Sequence, residues 1–153
     1  MTTIKQRLAE LAIELPNVPK PVGSYASYYK VDNLLFVSGQ GARNVDRTLR
    51  KGRLGADYTV EEGYRDARTI GLQLLATVQT AIGDLERVRG VAKILGMVQA
   101  TPEFRDHPKV IDGCSELFLS VFGEMGRHAR SAVGMASLPA GLAVEIEAIF
   151  EIV

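Results

Sequence analysis

Arg130 is the residue of this chain best suited to holding a small anion. A guanidinium presents a planar fork of N–H donors that matches a carboxylate bidentately. Side-chain chemistry leaves a second reading open, a structural pair with Glu145, Glu147 or a chain carbonyl. Both glutamates belong to a strictly alternating run. Val144, Ile146, Ala148, Phe150 and Ile152 share one side, while Glu145, Glu147, Ile149 and Glu151 share the other. An acidic strand face is ordinary when solvated and becomes a candidate site when another chain covers it. Ser38-Gly39-Gln40-Gly41 is a further candidate, because its glycines let the backbone bend sharply or approach a ligand closely.

The remaining reactive residue types point away from chemistry. His107, Cys114 and His128 are scattered and make a poor metal set, so no metal is expected. Cys114 falls on the apolar stripe Val110, Ile111, Cys114, Leu117, Phe118, Val121, Phe122, where it reads as a small core residue. Neither histidine has a Ser or Cys partner at a diagnostic spacing, which argues against a nucleophile-and-base mechanism. The sequence contains no phosphate-binding loop, dinucleotide fingerprint or zinc-deaminase signature.

The elements that must position these residues can be read in order. The 153 residues are enough for one domain, 1–153, with an N-terminal helix and connector over 1–20. Ile4, Leu8, Leu11 and Ile13 predict an amphipathic helix over 3–14, and Pro16, Pro19 and Pro21 predict an extended connector. Tyr28 to Val31 and Leu34 to Val37 read as strands about an Asp32-Asn33 turn. Arg43 to Tyr58 reads as a short edge strand or loop, and its cluster Arg43, Arg47, Arg50, Lys51, Arg53 as a solvated face. A long helix is expected from the capping box Thr59–Glu62 to the stop at Gly83. Val91 to Ala100 reads as a strand bent at Gly96. A second core helix starts at Asp106 and Pro108 and stops at Gly123. The last stretch, from His128 to Val153, reads as a hairpin turning at Leu138-Pro139-Ala140-Gly141. The sum is an α+β layer fold, with a mixed sheet and two helices on one face. The other sheet face is half polar and half apolar, which suits burial in an oligomer.

Composition bounds the function. Lys plus Arg and Asp plus Glu are both 18, so the balanced charge gives no basic footprint for nucleic acid. The single cysteine excludes an intramolecular disulfide, and no apolar run reaches signal or membrane-helix length. A cytoplasmic protein without membrane contact is expected.

Several segments together resemble the YjgF/RidA family of reactive intermediate deaminases, in the branch with an extra N-terminal helix. They are Gly23-Ser24-Tyr25, the LLFVSGQ run through Gln40, Gly83-Asp84-Leu85, Gly126 to Val133 with Arg130 inside it, and Leu138-Pro139 leading to Val144-Glu145-Ile146-Glu147-Ala148. The resemblance implies a chorismate-mutase-like, ferredoxin-like fold. It also implies a homotrimer whose sheets form a central barrel with ligand clefts between subunits. The implied activity is cofactor-independent hydrolysis of 2-enamino and 2-imino acids to a 2-oxo acid and ammonia. Arg130 would grip the substrate carboxylate and Glu145 would activate water. Tyr25, Ser38 and Gly39 would line the cleft, and Asp112 stands where the branch has an asparagine. Ala132 replaces a cysteine common in family deaminases, and His128 replaces a proline. The alternative is a non-catalytic trimer of the same fold that binds a small carboxylate. An RNA-directed activity, described for some family members, is disfavoured by the zero net charge and the lack of an aromatic stacking platform.

In a hairpin turning at 139–141, Arg130 lies opposite residue 150, about 16 Å along the strand from Glu145 at ~3.3 Å per residue. The two are therefore expected to share a cleft only between neighbouring subunits, or by way of a bulge.

Overall fold

The structure is a computed structural model that describes residues 2–18 and 20–153. The Pro19 part of the predicted connector lies outside the described residues. Among the described residues there are three α-helices and five strands: α1 (Ile4–Glu10), β1 (Tyr28–Val31), β2 (Leu34–Gly41), α2 (Val60–Ile82), β3 (Val88–Gln99), α3 (His107–Phe122), β4 (Ala129–Met135) and β5 (Val144–Ile152). The sheet is mixed, in the order β1-β2-β5-β3-β4. This is the α+β layer fold expected from the sequence. α2 packs over β2 and β5, α3 packs over β3 and β4, and the two helices pack on each other.

The predicted C-terminal hairpin does not form. β4 and β5 are not neighbours, because β3 runs between them, parallel to β4 and antiparallel to β5. The physical reason lies in the connections. A strand, helix and strand in succession form a crossover that lays β4 parallel beside β3. The 136–143 segment then carries the chain across the end of β3 to its other edge. Gln99 clamps that passage: its Oε1 accepts from Leu138 N at 2.8 Å, and its Nε2 donates to Gly52 O at 2.8 Å. Both edges of the long β3 are thereby hydrogen-bonded, as a buried strand requires.

Three other expectations are corrected. α1 stops at Glu10, because Ala12 takes φ 52° and Ile13 N donates back to Leu8 O at 2.8 Å. Gly96 is not a bend; it lies mid-strand, paired with Ala132 and Ile146, and a Cβ there would sit 2.5 Å from Ile111. Residues 43–58 are a loop with isolated bridges, one of the two forms expected, and the third correction concerns its basic cluster. Their arginines are partly structural rather than solvated. Arg50 pairs with buried Asp66 at 3.1 Å, beside a 2.6 Å hydrogen bond from Tyr58 Oη to the same carboxylate. Arg53 donates to Ala136 O at 3.0 Å.

The capping box at Thr59–Glu62 and Gly83 at φ 83° bound α2 as expected, over 23 residues. The core lies between the helices and one sheet face, and Leu35, Ile94, Ile146 and Phe150 are all 0% exposed there. The opposite face presents Tyr29, Phe36 and Val133, all exposed, beside Glu147.

Candidate functional site

The predicted site residues fall into two groups on opposite faces of the sheet. The first group surrounds a cleft of 620 Å³ lined by Lys20, Tyr25, Ser38, Gly39, Arg43 and Glu145. A bulge shapes it. Val37 pairs with Ala148 and Gln40 with Ile146, so Ser38 and Gly39 together face the single residue Glu147. Ser38 Oγ donates to Ala26 O at 2.6 Å and its N–H to Ser27 O at 3.0 Å, which ties the Tyr25 loop to β2. Gly39 lies against Glu145, and a Cβ there would sit 3.2 Å from Glu145 Oε2. Glu145 is half-buried. Burial pushes its carboxyl above the ordinary glutamate range, and the like charge of Glu147 adds to the shift. Behind the cleft, buried Gln73 donates to Gly41 O at 2.9 Å and accepts from Arg43 N at 3.1 Å, which holds this end of β2 against α2.

The second group lies where the edge strand β4 meets α3. Pairing with β3 turns Arg130 towards the helices, and it meets Asp112 rather than either glutamate. Arg130 Nη1 is 2.7 Å from Asp112 Oδ1 and donates to Ser115 Oγ at 3.0 Å, and Nη2 donates to Pro108 O at 3.4 Å. The guanidinium remains partly exposed.

Sequence reasoning missed Ser115 and the part played by His128. His128 Nδ1 lies 2.6 Å from Gly126 O. A carbonyl only accepts, so Nδ1 carries the hydrogen and Nε2 has a free lone pair. Ser115 Oγ, 2.8 Å from Nε2, donates its hydroxyl hydrogen there and turns its own lone pair towards Arg130. Burial holds His128 below its usual range against the opposing pull of the Gly126 carbonyl; the Arg130 charge lowers it further. The neutral ring favours this arrangement. A spatial Ser–His pair therefore exists where the sequence spacing argued against one, and it orients Arg130. The available signals were the one-turn separation of Asp112 and Ser115 on a helix and the i, i+2 spacing of His128 and Arg130 on an extended segment.

Within one chain the two groups stay apart. Arg130 aligns through Ile94 with Ala148, and Glu145 aligns through Met97 with Val133. That is about 10 Å along the strands and about 10 Å across them, with the side chains on opposite faces. Cys114 is fully buried, and burial raises its thiol. Among the described residues no group of three metal-ligating side chains forms, and no helix is long and apolar enough to cross a membrane.

Comparison with known proteins adds the following. A family model described as "YjgF/chorismate_mutase-like, putative endoribonuclease" matches residues 5–145. The chain is similar to protein TCP17 of Trypanosoma cruzi, with 44% identity over 97% of this chain and 94% of that one. It is also similar to a Dermatophagoides farinae protein named 2-iminobutanoate/2-iminopropanoate deaminase, at 32% identity over 90% of this chain and 92% of the relative. The crystal structure of Atu1372 from Agrobacterium tumefaciens, a protein of unknown function, superimposes with a TM-score of 0.89 at 42% identity, covering 99% of this chain and 94% of that one.

Proposed function

Because the chain belongs to the YjgF/chorismate mutase-like family, we propose that it hydrolyses reactive 2-imino and 2-enamino acids to 2-oxo acids and ammonia. The observation that carries this reading is the state of Arg130: partly exposed and oriented by Ser115 and Asp112, with a guanidinium fork whose geometry matches a carboxylate. The relative named as a 2-imino acid deaminase supports the same chemistry.

In this reading Arg130 holds the substrate carboxylate and so fixes the electrophilic C2 beside a water, which is catalysis by position. Glu145 takes a proton from that water as its oxygen adds to C2. The carbinolamine then collapses, the C–N bond breaks, and protonated nitrogen leaves as ammonia. The separation of Arg130 from Glu145 within a chain favours a cleft completed by a second subunit. The exposed face with Tyr29, Phe36 and Val133 is suited to that contact, in a homotrimer whose sheets meet in a central barrel.

The test is to generate 2-iminopropanoate in situ with an amino-acid oxidase and to measure ammonia release at substrate excess. Acceleration over many turnovers is the expected result. No acceleration across several imino acids would leave the non-catalytic carboxylate binder.

A pH dependence follows from Glu145. A general base must be ionised, and a raised carboxyl ionises at higher pH, so kcat/KM is expected to rise with pH above the ordinary glutamate range. Glu147→Gln removes the like charge and should move that limb to lower pH. A limb unmoved by the substitution and lying in the ordinary glutamate range would take Glu145 out of the mechanism.

A further inference from the structure

Arg130 Nη1 is engaged within the protein: it forms an ion pair with Asp112 Oδ1 at 2.7 Å and donates to Ser115 Oγ at 3.0 Å. Among the described residues Nη2 has only a long contact, 3.4 Å to Pro108 O, and Nε has no hydrogen-bond partner. The protein therefore closes one corner of the guanidinium and leaves the Nε–Nη2 edge for a ligand. Two parallel N–H bonds on such an edge match a carboxylate. Asp112 also has capacity to spare. Its side chain is 39% exposed, and among the described residues its Oδ2 accepts from no donor.

A ligand carboxylate on the open edge places a second anion on a guanidinium that already carries Asp112. Two carboxylates on one cation repel each other unless further positive charge lies between them. In a protonated 2-imino acid that charge is carried by the nitrogen bonded to the carbon next to the carboxylate, and its N–H donors can turn towards Oδ2. In a 2-oxo acid the same position holds a carbonyl oxygen, whose lone pairs would face the carboxylate of Asp112.

We propose that Asp112 determines specificity by reading the charge on the ligand's nitrogen. The site takes zwitterions with a cationic nitrogen on the carbon bearing the carboxylate, and it disfavours carboxylates without one. The inference rests on the reading of Arg130 as carboxylate anchor. It also gives hydrolysis a direction. Replacing C=NH2⁺ by C=O removes the donors and reverses the local electrostatic sign, so Asp112 helps expel the 2-oxo acid product.

The experiment is calorimetric titration of the full chain with three stable probes: L-alanine as the zwitterion, propanoate as the bare carboxylate and pyruvate as the oxo acid. Wild type is expected to bind L-alanine roughly tenfold more tightly than propanoate or pyruvate, the size of one charge-assisted hydrogen bond. Asp112→Asn should abolish that preference and bind propanoate and pyruvate several-fold more tightly than wild type does. Asp112→Ala supplies the same readout if the amide variant misfolds. Equal binding of L-alanine and propanoate by wild type overturns the proposal, as does a preference that survives both substitutions. Imine turnover in a wild-type protein that fails this test removes only the role of Asp112. If no probe binds, the proposal fails, and absence of imine turnover in the same protein removes the carboxylate-site reading with it.

Discussion

Arg130→Ala is expected to lower kcat/KM for 2-iminopropanoate hydrolysis by roughly 10²–10³-fold, the loss of two charge-assisted hydrogen bonds made to one carboxylate. The fold should survive. Ser115 keeps its hydrogen bond to His128, and Asp112 is exposed enough to be hydrated once its partner is gone. Thermal unfolding of the variant close to that of wild type, beside a collapsed rate, would separate loss of the anchor from loss of structure. Arg130→Lys should restore little, since an ammonium lacks the fork and cannot meet Asp112, Ser115 and a ligand with the same geometry. Ammonia release in the oxidase-coupled assay checks both variants. A wild-type rate in Arg130→Ala would mean that the carboxylate is held elsewhere, with Lys20 and Arg43 of the cleft on the opposite sheet face as the next candidates.

Gly113→Val is expected to destabilise the protein by more than ~3 kcal/mol, above the usual range for an overpacked core. The two core helices touch through their glycines. Any Cβ at Gly113 would strike the Tyr64 carbonyl of α2 and lie 3.1 Å from Arg68 N, and a Cβ at Gly71 would lie 2.8 Å from Leu117. Backbone cannot move aside as a side-chain tip can, so the helices must separate. At about 2–4 °C per kcal/mol for a chain of this size, Tm should fall by roughly 10 °C. Gly113 lies between Asp112 and Ser115, so displacing α3 there also pulls both the ion-pair partner and the hydrogen-bond acceptor from Arg130 Nη1. Denaturant unfolding and the carboxylate titrations should therefore fail together. Unchanged stability would show that α2 and α3 can part at this crossing without loss.

The parts of the fold legible in the residues are those set within a few positions. The Thr59–Glu62 capping box and Gly83 bound α2, Pro108 and Gly123 bound α3, and alternation marks the buried face of β5. Each depends on a local hydrogen bond, a local φ or the two-residue period of a strand. The flexible Ser38-Gly39 stretch likewise became a bulge beside Glu145.

Pairing between distant segments was not legible in the same way. β4 and β5 are adjacent β-prone runs joined by a Pro–Gly turn, and nothing local forbids a hairpin. The strand–helix–strand order of β3, α3 and β4 carried the contrary signal, because it lays β4 parallel beside β3 and sends β5 to the far edge. That one choice of neighbour decided the site. It turned Arg130 towards α3 and Glu145 to the opposite face, and it gave Arg130 Asp112 and Ser115 as partners in place of Glu145 or Glu147. Residue types and spacing thus identified which groups can do chemistry and which elements carry them. Which of those groups meet depended on strand order and helix crossing, because hydrogen bonds and ion pairs form between neighbours in space, and chain separation says little about those.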